Sequence, residues 1–285
     1  MLLRKKFNLI FSFDSKILKR RVKTRLFNNN NYLYTFHNSY LKHKTHSPTF
    51  ALYKQLLVLI YMFRKPWWKI LSFILLVYTC IAGFLVTVPE PIGVPLQQTI
   101  RNLFFHVPMW FGMMILFSVS VIYSIKYLQN PTLINDTNSF EFAKTGVVLG
   151  LLGFSTGMIW ANYQWGKPIS GDPKQIGAAI AVLIYMAYFV LRGNIVDEKK
   201  ARISAVYNIF AFAMLFPTLW IMPRLVESLH PGGLGSEGNP GLNPKDSNAT
   251  MKLVFWPAVI GWTLLATWIT TLRIRTTLLE EKMEV

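Results

Sequence analysis

Cysteine is nearly missing from this sequence: the 285 residues contain one, Cys80. A single thiol excludes an intrachain disulfide, the C-x-x-C of a thiol oxidoreductase and the C-x-x-C-H of covalent haem attachment. No G-x-x-x-x-G-K-[ST] loop is present, and the glycine-rich "HPGGLGSEG" lacks the Lys-Ser/Thr ending, so hydrolysis through a P-loop is excluded. Charge is scarce, at 15% of residues, and acid is almost absent from the first 65, where 14 Lys/Arg face only Asp14. The remaining residues hold 16 basic and 12 acidic side chains, so the net charge of +17 resides mainly in that first segment. No nucleic-acid-binding module accompanies it, which argues against a nucleic-acid partner. Histidine is equally thin, with only His106 and His230 beyond residue 65.

What the chain has in quantity is apolar length. About half of it is hydrophobic, and runs of about 20 residues match a ~30 Å hydrocarbon core. Six spans are expected, at about 67–88, 108–128, 145–165, 174–192, 203–223 and 253–272. The fold class is therefore all-α: a polytopic integral membrane protein built as a six-helix bundle in the lipid bilayer. Trp67, Trp68, Trp160, Trp165 and Trp256 lie near span ends, where interfacial anchors sit. Twelve Lys/Arg flank one side of these spans and six the other, which predicts N-in, C-in topology with 89–107, 166–173 and 224–252 outside. A cytoplasmic tail is expected at 276–285.

Residues 1–61 form a basic N-terminal extension with three open readings. It could lie on anionic lipid or be a targeting peptide; alternatively, the start is overcalled and Met62 begins "MFRKPWWKILSFILLVY". His37, His43 and His46 in this segment read as solvated polar residues. Within the bundle, Gly146, Gly150, Gly153 and Gly157 fall at i, i+4, i+7 and i+11, one helix face that admits a close neighbour. Pro217 and Pro223 should bend or end the fifth span. Asn162 and Asn208 should face protein rather than lipid.

The predicted topology brings the two histidines to one membrane boundary. His106 precedes the second span, with Pro108 suited to its first turn, and His230 follows the fifth. Two converging imidazoles could serve as axial ligands of haem iron. A zinc site would need further ligands, with Glu227 and Asp172 the nearby candidates. The connection "IWANYQWGKPISGDPKQIGAA" lies on the same side. There Trp160, Tyr163 and Trp165 offer aromatic surface, and Asp172-Pro173 reads as the cap and first residue of the fourth helix. Lys174 in that first turn could attract a carboxylate such as a haem propionate. Each also has a plainer reading: tryptophan as interfacial belt, aspartate as cap, lysine as charged flank.

Six spans, "FFHVP", "WGxxxxxDPK" and "LHPGG" together resemble the haem-handling protein C type of cytochrome c maturation, within the CcmC/CcsA cytochrome c assembly family. The resemblance covers about 62–275 as one membrane domain. Trp165-Gly166 and Asp172 fall on the ends of the family's W-G-x-x-W-x-W-D motif, while Ile169 and Gly171 stand where its second and third tryptophans would be. The family's two outer histidines correspond to His106 and His230, and Lys174 to a position often held by arginine. The resemblance implies a protein of the bacterial cytoplasmic (inner) membrane that presents haem b, without covalent attachment, to a haem chaperone. It also implies possible membrane partners in an export complex. Trp160, Trp165 and Gly166 would frame the haem, Asp172 and Lys174 would flank it, and Lys174 with Arg101 or Arg224 would neutralise its propionates. With no general acid, nucleophile or nucleotide loop evident, the sequence reads as a carrier rather than an enzyme. The alternatives are a membrane transporter, or a permease-like subunit without haem ligation.

Overall fold

In a computed structural model the described residues are 66–86, 99–230 and 249–283. The N-terminal extension and the Pro231-Gly232-Gly233 turn lie outside them. Six helices are long and apolar enough to cross a membrane, and no strand occurs among the described residues. They are α1 (Trp67–Leu85), α2 (Leu103–Gln129), α3 (Leu133–Trp165), α4 (Pro173–Asn194), α5 (Asp197–Leu215) and α6 (Ala249–Met283). The fold class expected from the apolar runs is the one observed.

Three helices outrun their apolar stretches. α3 begins at Leu133 rather than near 145, capped by the Thr132 hydroxyl, which accepts from the Asn135 N–H. Its first turns, "LINDTNSFEFAK", are too polar for a hydropathy criterion yet helical all the same. α6 continues through Met283 and takes in most of the expected tail. α2 starts at Leu103 after a 3₁₀ turn at Ile100–Asn102, so His106 lies within the helix rather than ahead of it. Pro108 is then inside the helix, at the cost of one backbone hydrogen bond.

The glycine face of α3 forms the central seam, where α2 runs antiparallel to α3. A Cβ on Gly146 would lie 2.6 Å from the Phe117 ring, on Gly150 2.8 Å from Met113 Sδ, and on Gly153 3.0 Å from Trp110 Nε1. On Gly157 it would lie 2.6 Å from His106 Cε1. The α2 side chains repeat the glycine spacing in reverse: 117, 113, 110, 106. The seam thus ends on a histidine. Phe117 also stacks on Tyr185 of α4 at 3.6 Å, which ties the seam into the core.

α5 ends at Leu215, two residues before its first proline. A π turn over Phe216–Ile221 takes in Pro217, and a short helical piece, Met222–Leu225, follows with Pro223. Thr218 in that π turn packs against Gly177 of α4 so closely that a Cβ would fall 2.1 Å from the Thr218 carbonyl oxygen. This contact holds the end of α5 against α4 and aims the chain toward 226–230.

Several polar side chains elsewhere in the bundle are paired, while the Tyr185 and Ser204 hydroxyls, Asn208 Oδ1 and Trp262 Nε1 are buried without a hydrogen-bond partner among the described residues. Asn208 is fully buried as expected, its amide nitrogen reaching Ser120 at 2.7 Å and Ser124 at 2.9 Å. Asn162, by contrast, is exposed, since it falls in the last turn of α3. At the far end from His106, Arg192 grips Asp136 through two bonds of 2.8 and 2.6 Å, and Arg273 Nε donates to the buried Glu141 at 2.5 Å.

Candidate functional site

The two histidines reach the site by different routes. The His106 ring stands in the space left by Gly157, and its Nδ1 lies 2.7 Å from the Gly153 carbonyl. A carbonyl only accepts, so Nδ1 carries the proton and Nε2 keeps its lone pair. Asn102 Nδ2 donates to the Thr156 carbonyl at 3.2 Å, fixing the start of α2 to the same stretch of α3. Trp110, one turn along, meets the imidazole edge-on at 6.2 Å.

His230 is held by a side chain. Its Nδ1 lies 2.7 Å from Asp172 Oδ1, and the Asp172 carboxylate has no exposed surface. Oδ1 also accepts the Lys174 N–H at 2.9 Å, the expected cap of α4. Oδ2 accepts the Ser228 hydroxyl at 2.8 Å and the Leu229 N–H at 2.6 Å. Four donors thus fill both oxygens, three of them from residues 228–230. Burial alone would raise the Asp172 carboxyl, but the His230 imidazole beside it, with Ser228 and Leu229, holds it well below the usual carboxylate range.

The connecting loop is rigidly tied. Gly166 closes α3 in the left-handed conformation with φ 70°, its N–H bonded to the Asn162 carbonyl. Gln175 Oε1 accepts from the Ser170 N–H and hydroxyl, while its Nε2 donates to the Pro168 carbonyl. Gly171 takes φ 80°.

The aromatic residues sort differently from expectation. Trp165 packs edge-on against His230 at 4.8 Å, and Trp160 lies 5.9 Å from it, with the two indoles 5.1 Å apart. They wall His230 rather than form an open floor. Tyr163 is exposed. Arg101 spends its guanidinium on the α1 terminus, donating to the Gly83 and Val86 carbonyls at 3.1 and 2.8 Å. Arg224 bonds the Trp220 carbonyl and lies over its ring. Lys174 sits half-buried in the first turn of α4.

Two partnering roles were invisible in the sequence. The Gly153 carbonyl as partner of His106 carries no side-chain signal. Ser228 at the Asp172 carboxylate could have been suspected only by its place two residues before His230. Together the site offers two imidazoles at the C-terminal half of α3, one packed against Gly153 and Gly157 and the other against Trp160 and Trp165, each pinned through Nδ1. Neither Nε2 has a hydrogen-bond partner among the described residues, so each is available as a neutral nitrogen ligand. No group of three or more His, Cys, Asp or Glu converges there among the described residues, and Glu227 is exposed.

Residues 36–230 match the family described as Cytochrome C assembly protein. The chain belongs to the cytochrome c assembly family. The match takes in residues 36–61, which the motif resemblance left out, and ends on His230 itself. Among curated relatives, the Cytochrome c biogenesis protein CcsA of Trachelium caeruleum is 33% identical over 167 residues, covering 58% of this chain and 50% of that protein. Its counterpart in Thermosynechococcus vestitus is 31% identical over 108 residues, covering 37% and 33%. That of Prochlorococcus marinus is 47% identical over 57 residues, covering 20% and 18%. The matched stretches span half the length of these relatives or less. The family resemblance carried by the motifs is borne out.

Proposed function

We propose that this multi-pass membrane protein binds haem b non-covalently between His106 and His230 and holds it for delivery during cytochrome c assembly. The observation that carries this reading is the shared state of the two imidazoles. Each has its Nδ1 committed to an acceptor, which leaves Nε2 free as a ligand, and both lie at one end of the bundle. Haem iron takes two axial nitrogen ligands of this kind. The loop charges support an outward orientation for this end, where a haem chaperone would receive the cargo, with export-complex membrane subunits as further partners. Trp165 and Trp160 would keep the His230 side apolar, Gly166 leaves the loop beside them without a side chain, and Lys174 would face a propionate from the α4 terminus. The role is that of a carrier, whose residues bind and orient the haem.

Absorbance of the purified protein tests this. The wild type, expressed with ample haem, shows a Soret band that the His106→Ala/His230→Ala double variant loses. A colourless wild-type protein of normal helicity and size would overturn the reading.

A further inference from the structure

Asp172 has more bonds than a helix cap needs. Capping uses one carboxylate oxygen for one N–H, here that of Lys174. The other three donors, Ser228 Oγ, Leu229 N and His230 Nδ1, come from a segment 56 to 58 residues away. The carboxylate is wholly buried and saturated by these four. The His230 N–H to Ser228 Oγ bond at 3.1 Å folds the segment back on itself, so its polar groups converge on one side chain. His106, in contrast, donates to a neutral backbone carbonyl.

We infer that Asp172 is a positioning residue that docks residues 228–230 and fixes the His230 proton on Nδ1, which makes the two imidazoles unequal ligands. A carboxylate accepting the Nδ1 proton orients the ring and raises the basicity of Nε2, as outer partners of metal-bound histidines do. A carbonyl acceptor does so more weakly, because a charge-assisted bond is roughly twice as strong as a neutral one. His230 is therefore the more electron-donating of the pair and His106 the weaker. The iron consequence rests on the haem reading above; the docking and proton placement do not.

The test has one arm without haem and one with it. In ¹⁵N-histidine-labelled, haem-free protein at pH 9, nitrogen NMR reads which ring atom carries the proton, and His230→Ala identifies the signal. His230 should be protonated at Nδ1 in the wild type. Asp172→Asn keeps a good cap and so keeps the fold, but should release that preference. Asp172→Ala should release it fully, while the His106 signal stays put in both. A His230 Nδ1 without a proton in the wild type, or a signal indifferent to both variants, overturns the inference whether or not haem binds. In the haem-loaded arm, Asp172→Asn should move the midpoint potential in the positive direction while the low-spin spectrum persists. An unmoved potential with an intact spectrum overturns the inequality of the ligands. Failure of the wild type to bind haem would count against the haem reading alone, since the NMR arm still decides the docking.

Discussion

His106 and His230 do the same chemical job by opposite means. His106 is set by packing, within a helix, in the space a glycine leaves, against a backbone carbonyl. His230 lies in an irregular segment after α5 and is set by side-chain chemistry, through a carboxylate that its Nδ1 shares with two groups of the preceding residues. The contrast teaches where each is vulnerable. No single polar substitution removes the carbonyl that holds His106, whereas one substitution removes the carboxylate that holds the His230 ring through Nδ1. Conversely, adding volume should hurt the first and hardly touch the second.

The largest effect expected on haem affinity is therefore from Gly157→Val. Its branched side chain enters the imidazole's space, and overpacking of this kind costs about 1–3 kcal/mol. The ring must leave the Gly153 carbonyl, so the variant should lose as much haem affinity as His106→Ala while the His230 nitrogen signal stays unchanged. Gly146→Val is the control: it meets Phe117 equally closely and should lower thermal stability by a similar amount, yet leave haem affinity intact. Loss of haem binding in both variants would show that the seam acts through general stability and that His106 has no privileged place on it.

Asp172→Ala attacks the other side of the comparison. Loss of the cap alone costs about 1 kcal/mol, and losing the bonds from Ser228 and Leu229 adds about 0.5–1.5 kcal/mol each. The effect depends on pH, with a definite sign. The folded-state carboxyl titrates below its unfolded value, so the carboxylate's contribution is complete above the ordinary carboxylate range and fades as pH falls beneath it. Wild type and Asp172→Ala should therefore differ most in thermal unfolding near neutral pH and converge as the medium becomes strongly acid. A constant difference down to the lowest accessible pH would mean that the clasp does not act through the ionised carboxylate.

How much of this could be read from the chain depends on the distance over which each cause acts. The apolar spans, the glycine face and the Asp172-Pro173 helix start are local patterns, and each has its counterpart in the structure, although three helices outrun their spans. The polar first turns of α3 escaped because hydropathy reports immersion in lipid, not helicity. Asp172 was legible as a cap, a relation to its own next residues, but not as the anchor of His230, since nothing in the sequence pairs positions 58 apart. Arg101 looked like a free cation for the same reason: its carbonyl partners at Gly83 and Val86 lie across a connection from it. The tryptophans were recognised as belonging to the site, but whether an indole forms a floor or a wall depends on a ring that arrives from another segment.

The altered tryptophan positions sharpen the comparison further. Gly171 takes a left-handed φ of 80°, so a side chain there is strained wherever it points. Gly171→Trp should cost about 1–2 kcal/mol and, by disturbing the residue next to Asp172, should weaken His230 more than His106. Ile169 is exposed and carries no such constraint, so Ile169→Trp should change stability by less than about 0.5 kcal/mol. Restoring one tryptophan is then tolerated and restoring the other is not, which thermal unfolding of the two variants distinguishes. Equal behaviour would mean the loop readily adopts a second backbone path.

Ser228→Ala is the mildest perturbation and the most selective. It removes the hydroxyl that donates to Asp172 and accepts the His230 backbone N–H, while the cap, the Leu229 N–H and the Nδ1 bond remain. A single hydrogen bond of this kind is worth about 0.5–1.5 kcal/mol. The expected result is a small loss of thermal stability and a faster haem off-rate, with the proton still on His230 Nδ1. That outcome separates the two parts of the clasp: the serine helps to close the segment, but the carboxylate alone decides the state of the ring. If Ser228→Ala instead shifts the proton as far as Asp172→Asn does, the segment's fold controls the imidazole, and the carboxylate is only one of its fastenings.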